Sequence, residues 1–184
     1  MSLLYALIIG VDKMYRKKDF LFMKVSSIKG KSIGFIKDII VDFNIGAVLG
    51  FSITSYMIFQ PCVYILKNNI LSYNDSMIVT SCSKGKFLHF TDIAYMNIID
   101  LQGNIIGMIE DIIFDEKTFL INGVVVSTGY ITNFLYGKKV FLIKDIIIGR
   151  ECILYHGNKD KLIFSNTPGN ALNKEKNNEE IIQG

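Results

Sequence analysis

Four aspartates are the first residues in this chain whose type and spacing invite chemistry: Asp38 with Asp42, and Asp111 with Asp115. A pair of carboxylates can share a metal ion or divide the roles of acid and base. Both pairs sit in Ile-rich runs that read as strands, where positions two and four apart share a face. A spacing of four then puts the carboxylates about 13 Å apart. That is too far to hold one ion jointly and too far for a glycosidase-type pair. The preferred reading is structural. Asp42 and Asp115 end their strands and accept backbone N–H groups of the following turn. Asp38 and Asp111 are tied to backbone or to a basic residue at a strand crossing.

The remaining candidates for chemistry are isolated. His89 and His156 have no carboxylate or Cys pair beside them in sequence, and a lone histidine near a strand end is a surface or capping residue before it is a ligand. Cys62, Cys82 and Cys152 form an odd set without CxxC spacing, which argues against a disulfide framework or zinc site and for a reducing compartment. Ser81, Ser83, Ser127 and Thr128 lack an elbow motif or companion histidine. The glycines stand singly, so no phosphate-cradling loop appears. No catalytic residue, cofactor or metal site is expected.

Two stretches suit binding instead. Lys13-Met-Tyr-Arg-Lys-Lys18 is the densest basic cluster; it could meet an acidic partner, RNA or lipid headgroups, and reads first as a solvated segment. Thr128 to Gly137 reads as a loop bearing Tyr130, Phe134, Leu135 and Tyr136. Aromatics on a loop suit a protein interface, and packing between two barrels is the equal alternative.

The elements that position these residues occur twice. Residues 30–50 align with 103–123 without a gap, at an offset of 73, with nine identities in twenty-one positions. These include Gly34/Gly107, Asp38/Asp111 and Asp42/Asp115. A fixed offset marks a duplicated unit. Strict alternation puts Gly34, Ile36, Asp38, Ile40 and Asp42 on one face, identical at all five positions in the second copy. Gly34 and Gly107 would mark a bulge or tight bend. Strands are expected at 22–28, 33–41, 47–54, 63–66 and 77–80, and again at 95–99, 105–114, 120–127, 140–143 and 152–155. No sustained helical period appears between residues 23 and 160.

Half of the 184 residues are hydrophobic, there is no Trp, and the net charge is +3. The charge is mild for a nucleic-acid binder. No run approaches the roughly 20 apolar residues of a membrane helix. Leu3 to Val11 is apolar and precedes the basic cluster, the reverse of a signal peptide. It reads as a strand or short helix packed on the first unit, with membrane contact through residues 3–18 the less favoured reading. A second possibility is a translation start at Met14 or Met23. The expected organisation is an extension over 1–19, a first barrel over 20–82, a linker over 83–88, a second barrel over 89–164 and a disordered tail over 165–184.

The pattern Gly-x-x-Ile-Gly-x-Ile-x-Asp-Ile-Ile-x-Asp, followed by a turn and a Gly-centred apolar strand, resembles the PRC-barrel family. The closing stretch Lys139 to Gly149 followed by Glu151 to Leu154 is similar to the family's last strands. Tyr73-Asn74 departs from it where Gly is usual. The resemblance spans about residues 20–156 as two tandem copies, like two-barrel proteins of Gram-positive bacteria. It implies an all-β protein of two small, strongly bent barrels of about six strands each, with no catalytic residues. Family members act by docking, so the expected function is a non-enzymatic, cytoplasmic protein-binding or assembly module. The alternative is an RNA- or ribosome-associated factor, by analogy with the ribosome maturation factor that carries such a barrel. Neither the partner nor the oligomeric state follows from the resemblance.

Overall fold

The computed structural model describes residues 13–56, 63–157 and 163–165, the last three and Tyr130, Leu135 and Tyr136 for backbone only. The expected tail beyond Ser165 and the apolar run 3–11 lie outside the described residues, and Ser165 itself ends a strand. In chain order the strands are β1 (Met14–Arg16), β2 (Lys24–Ser27), β3 (Ser32–Asp42), β4 (Ala47–Ser55), β5 (Tyr64–Leu66), β6 (Ile70–Tyr73) and β7 (Ser76–Val79). There follow β8 (Leu88–His89), β9 (Asn97–Ile99), β10 (Ile105–Asp115), β11 (Ile121–Ser127), β12 (Lys138–Leu142), β13 (Ile146–Ile148), β14 (Cys152–Tyr155) and β15 (Ile163–Ser165). One seven-residue helix, α1 (Tyr130–Tyr136), stands between β11 and β12. No helix among the described residues is long and apolar enough to cross a membrane.

Two sheets repeat one plan. The first runs β5-β4-β3-β2-β7-β6, and the second runs β12-β11-β10-β9-β14-β13, with β15 added outside β12. In both, one pairing is parallel, β2 with β7 and β9 with β14. The duplicated strands β3 and β10 lie at the centre of each sheet, in keeping with their density of Ile. Five short strands fall outside the expected set, β1, β6, β8, β13 and β15; of these β6 and β13 each follow a tight 3-10 turn, at 67–69 and 143–145.

The strand before each repeat crosses to the other. β1 pairs with β10 through Tyr15↔Phe114 and Arg16↔Ile113, while β8 pairs with β3 through Leu88↔Val41 and His89↔Ile40. The offset of 73 turns one set of pairs into the other. Residues 14–16, ahead of the first repeat in the chain, thus extend the second sheet. The exchange leaves one core. Phe20 and Phe51 from the first repeat meet Phe114 and Phe119 from the second, with ring centroids 4.7–6.1 Å apart for Phe20–Phe51, Phe20–Phe114, Phe114–Phe119 and Phe51–Phe119. Loss of one such ring costs about 3–5 kcal/mol. The hairpin turns also join, by Ile121 N to Gly46 O at 2.7 Å and Val48 N to Phe119 O at 2.9 Å.

Alternation along β3 holds only for its first half. A bulge between Ile36 and Asp38, repeated between Ile109 and Asp111, leaves Lys37 and Glu110 out of register. Beyond it Asp38, Ile39, Ile40 and Val41 are all buried. The single Gly-Ile-Asp-Ile-Asp face expected from a regular strand is therefore broken at residue 37, because a bulge shifts the following side chains by one place.

Candidate functional site

The residues with titratable side chains gather where the exchanged strands end. Arg16 closes β1 and His89 closes β8, and each runs into a 3-10 turn, 17–19 or 90–92. The turns are built alike: Asp19 accepts from the Arg16 amide at 2.7 Å, and Asp92 from the His89 amide at 2.9 Å. Each turn then presents an amide to the buried aspartate of the opposite repeat. Lys17 N donates to Asp111 at 3.1 Å, and Thr91 N donates to Asp38 at 2.9 Å.

Side chains complete the crossing. Arg16 Nε lies 3.0 Å from Asp111 Oδ2, and Lys17 Nζ lies 3.0 Å from Asp38 Oδ1, an ion-pair distance off the hydrogen-bonding direction. Thr91 Oγ1 donates to Asp38 Oδ2 at 2.7 Å. His89 Nδ1 stands 3.9 Å from the same oxygen, and its Nε2 is 3.1 Å from the Tyr64 hydroxyl. Lys17 touches both equivalent aspartates, one with its amide and one with its ammonium. Pairing along a strand, Asp38 with Asp42, was thus the wrong pairing to test; the fold brings Asp38 toward Asp111. Asp38 is 1% exposed and Asp111 6%. Burial raises the Asp111 carboxyl above its ordinary range, opposed by the Arg16 charge and by the amides of Ile112 and Lys17. Buried carboxylates held this way pin strands together; their oxygens face protein donors.

Asp42 and Asp115 stand at turns. Asp42 accepts from Asn44 N at 2.8 Å. Asp115 accepts from Thr118 N and Oγ1, both at 2.7 Å, and from Lys117 N at 3.1 Å, and the Thr118 bonds hold its carboxyl below the ordinary range. Gly34 and Gly107 sit beside register shifts in the pairing with β2 and β9. A side chain at Gly34 would collide with the Thr54 carbonyl, and one at Gly107 with Val126 and the Ser127 carbonyl.

The basic cluster is not a free cationic face. Arg16 and Lys17 turn inward to the aspartates, and Lys13 Nζ lies 4.7 Å over the Tyr15 ring. Cys152 is a free thiol on β14. Cys82, by contrast, is disulfide-bonded, which corrects the expectation of unpaired cysteines. The bridge Tyr64↔Ser83 lays residue 83 against the start of β5, a proximity that no short Cys spacing signals. His156 is exposed and its amide donates to Asp145 O at 2.9 Å. Among the described residues, no group of three or more His, Cys, Asp or Glu gathers around a common point.

The expected aromatic loop is a helix. Asn133 organises it: its Oδ1 accepts from Thr128 N and Oγ1 at 3.1 and 3.2 Å, and its amide donates to Ser127 Oγ at 2.7 Å. Phe134 is 85% exposed and Ile131 78%, three apart on one helix face. The side chains of Tyr130, Leu135 and Tyr136 lie outside the described residues. Two further exposed aromatics went unnoticed in the sequence: Phe22 and Tyr95, 75% and 70% exposed, with φ of 65° and 67°. They are the same position in the two repeats, each donating its amide to an isoleucine carbonyl, Ile36 or Ile109. Extending the ungapped pairing upstream of residue 30 would have found them, with Asp19/Asp92 and Met23/Met96.

A cleft of about 350 Å³ opens beside the crossing, lined by Lys13, Tyr15, Asp19, Tyr73 and Asp75 over Phe20 and Met23. The Tyr15 hydroxyl donates to Glu116 Oε1 at 3.3 Å and the Tyr73 hydroxyl to the Glu116 carbonyl at 3.1 Å. Burial, then the charges of Tyr15, Glu116 and Asp115, pushes the Tyr73 phenol up to about 12.

Compared with known families, the chain carries a PRC-barrel domain at residues 85–149. The matched stretch opens with β8, the strand that crosses to the first sheet, and stops before β14. A comparison with curated proteins finds no match.

Proposed function

We propose that this chain is a non-enzymatic docking module made of two PRC-type barrels in tandem, each completed by a strand from the other, that binds a protein partner through helix α1. The observation that carries the reading is the exposed apolar face of α1. A short helix rising between two sheet strands with Ile131 and Phe134 in solvent is an unusual use of apolar surface, and such surface in a β module suits an interface. The exchange supports it by making the platform rigid, since the two repeats cannot move apart without breaking β1 and β8 away. Tyr130, Leu135 and Tyr136 belong to the same proposed contact. RNA or ribosome association draws less support, because Arg16 and Lys17 spend their charge on Asp111 and Asp38 and phosphate binding needs clustered free cations.

The test is a cross-linking capture from native cells with the intact chain and with Ile131→Ser/Phe134→Ser. The proposal expects a partner captured in near-stoichiometric amount by the former and lost with the latter, at unchanged melting temperature. Retention of the same partner by the double variant would contradict it.

A further inference from the structure

We infer that the cleft between Tyr15, Tyr73 and Asp75 is a binding site for a primary alkylammonium group. Its floor is aromatic: Tyr15 and Tyr73 have ring centroids 5.8 Å apart, and each packs on Phe20, at 4.9 and 5.4 Å. Its rim carries the carboxylates of Asp19 and Asp75. Ring faces are electronegative and attract ammonium groups, more strongly beside anions. An ammonium already rests there: Lys13 Nζ stands 4.7 Å over the Tyr15 ring. Contact with Tyr15 first, then Glu116 and Asp19, holds that lysine in its charged form above its ordinary range. The protein's own side chain is thus the stand-in for the ligand, on an exposed residue that can swing away.

The fold does not require this arrangement. In the second repeat the position of Tyr15 is Leu88, the end of the matching strand is Ile148 instead of Tyr73, and Gly149-Arg150 follows in place of Asn74-Asp75. That copy closes the same topology with an aliphatic, basic corner. The tyrosine pair and Asp75 belong to one repeat alone, whereas Asp19 is matched by Asp92, in a chain whose net charge is +3. A cation-accepting cleft in a cationic protein is a local feature, separate from the face of α1.

The test is a titration of the full chain with 1,5-diaminopentane and with Nα-acetyl-lysine N-methylamide, read by the ring resonances of Tyr15 and Tyr73. Pentanol serves as the neutral control. The inference expects saturable shifts at these two rings with the amines and none with pentanol. Lys13→Gln removes the internal competitor and is expected to tighten binding about two- to fivefold, the worth of an exposed cation–π contact. Asp75→Asn, at an exposed turn, is expected to weaken it. Tighter binding of the diamine points to a free polyamine as the source, and tighter binding of the lysine amide points to a lysine side chain; either result supports the site. Equal shifts with pentanol, shifts shared by exposed Tyr56 and Tyr95, or no saturable response in Lys13→Gln would overturn it.

Discussion

Replacing Asp38 with alanine is the sharpest perturbation of the strand crossing. The substitution removes the acceptor for Thr91 N and Oγ1 and the counter-ion of Lys17. Breaking a buried ion pair by deleting one partner costs about 3–5 kcal/mol. Here the lower end applies. Thr91 is exposed, so its donors can turn to water, and the Lys17 side chain keeps 15% exposure through which water can reach its ammonium. The expected loss is about 3 kcal/mol. In urea denaturation, with a slope of about 2 kcal/mol/M, the midpoint falls by about 1.5 M. Asp42→Ala is the control, because it deletes one exposed turn bond and costs about 0.5–1 kcal/mol. Lys17→Met combined with Asp38→Leu is expected to recover most of the loss, since no charge is then left buried and unpaired. A midpoint for Asp38→Ala no lower than that of Asp42→Ala would refute the reasoning, as would a double variant whose losses simply add.

Three other outcomes follow from the same geometry. The Asp111 carboxyl is raised above 3.8 in the fold, so its ionisation opposes folding at neutral pH, and that opposition is relieved as pH falls through the folded value toward 3.8. Wild type is therefore expected to gain stability relative to Asp111→Asn between pH 7 and pH 4, measured by denaturation at each pH. Gly34→Ala drives a methyl into the Thr54 carbonyl and is expected to lower stability by about 2 kcal/mol or more, because backbone cannot yield as a side chain can. Phe22→Gly and Tyr95→Gly relieve a left-handed backbone at a bulky residue, worth about 1–2 kcal/mol, and each is expected to raise the melting temperature.

Much of the plan was legible because it rests on local pattern. The Ile-rich runs around Asp38 and Asp111 and the glycine-marked turns place β3, β4, β10 and β11 within a residue or two of where they lie. What was hidden depends on choice between near-identical partners. The second halves of β3 and β10 share Asp, Ile, Ile and Asp at matching positions, so either could accept the strand Met14–Arg16, and no periodicity decides between them. The convergence of Asp38 with Asp111 follows from that choice and was hidden with it. Helix α1 was missed for another reason. Tyr-Ile-Thr-Asn-Phe-Leu-Tyr has the aromatic and β-branched content of a strand; it is Asn133 bonding back to Ser127 and Thr128, between Gly129 and Gly137, that makes it helical.

The exchange of β1 and β8 is the claim on which the rest stands, and cross-strand proton contacts measure it directly. In a nuclear Overhauser spectrum of the labelled chain, the account predicts contacts of Tyr15 with Phe114 and of Leu88 with Val41. Contacts of Tyr15 with Val41 and of Leu88 with Phe114 would show each strand staying in its own repeat, and would contradict it.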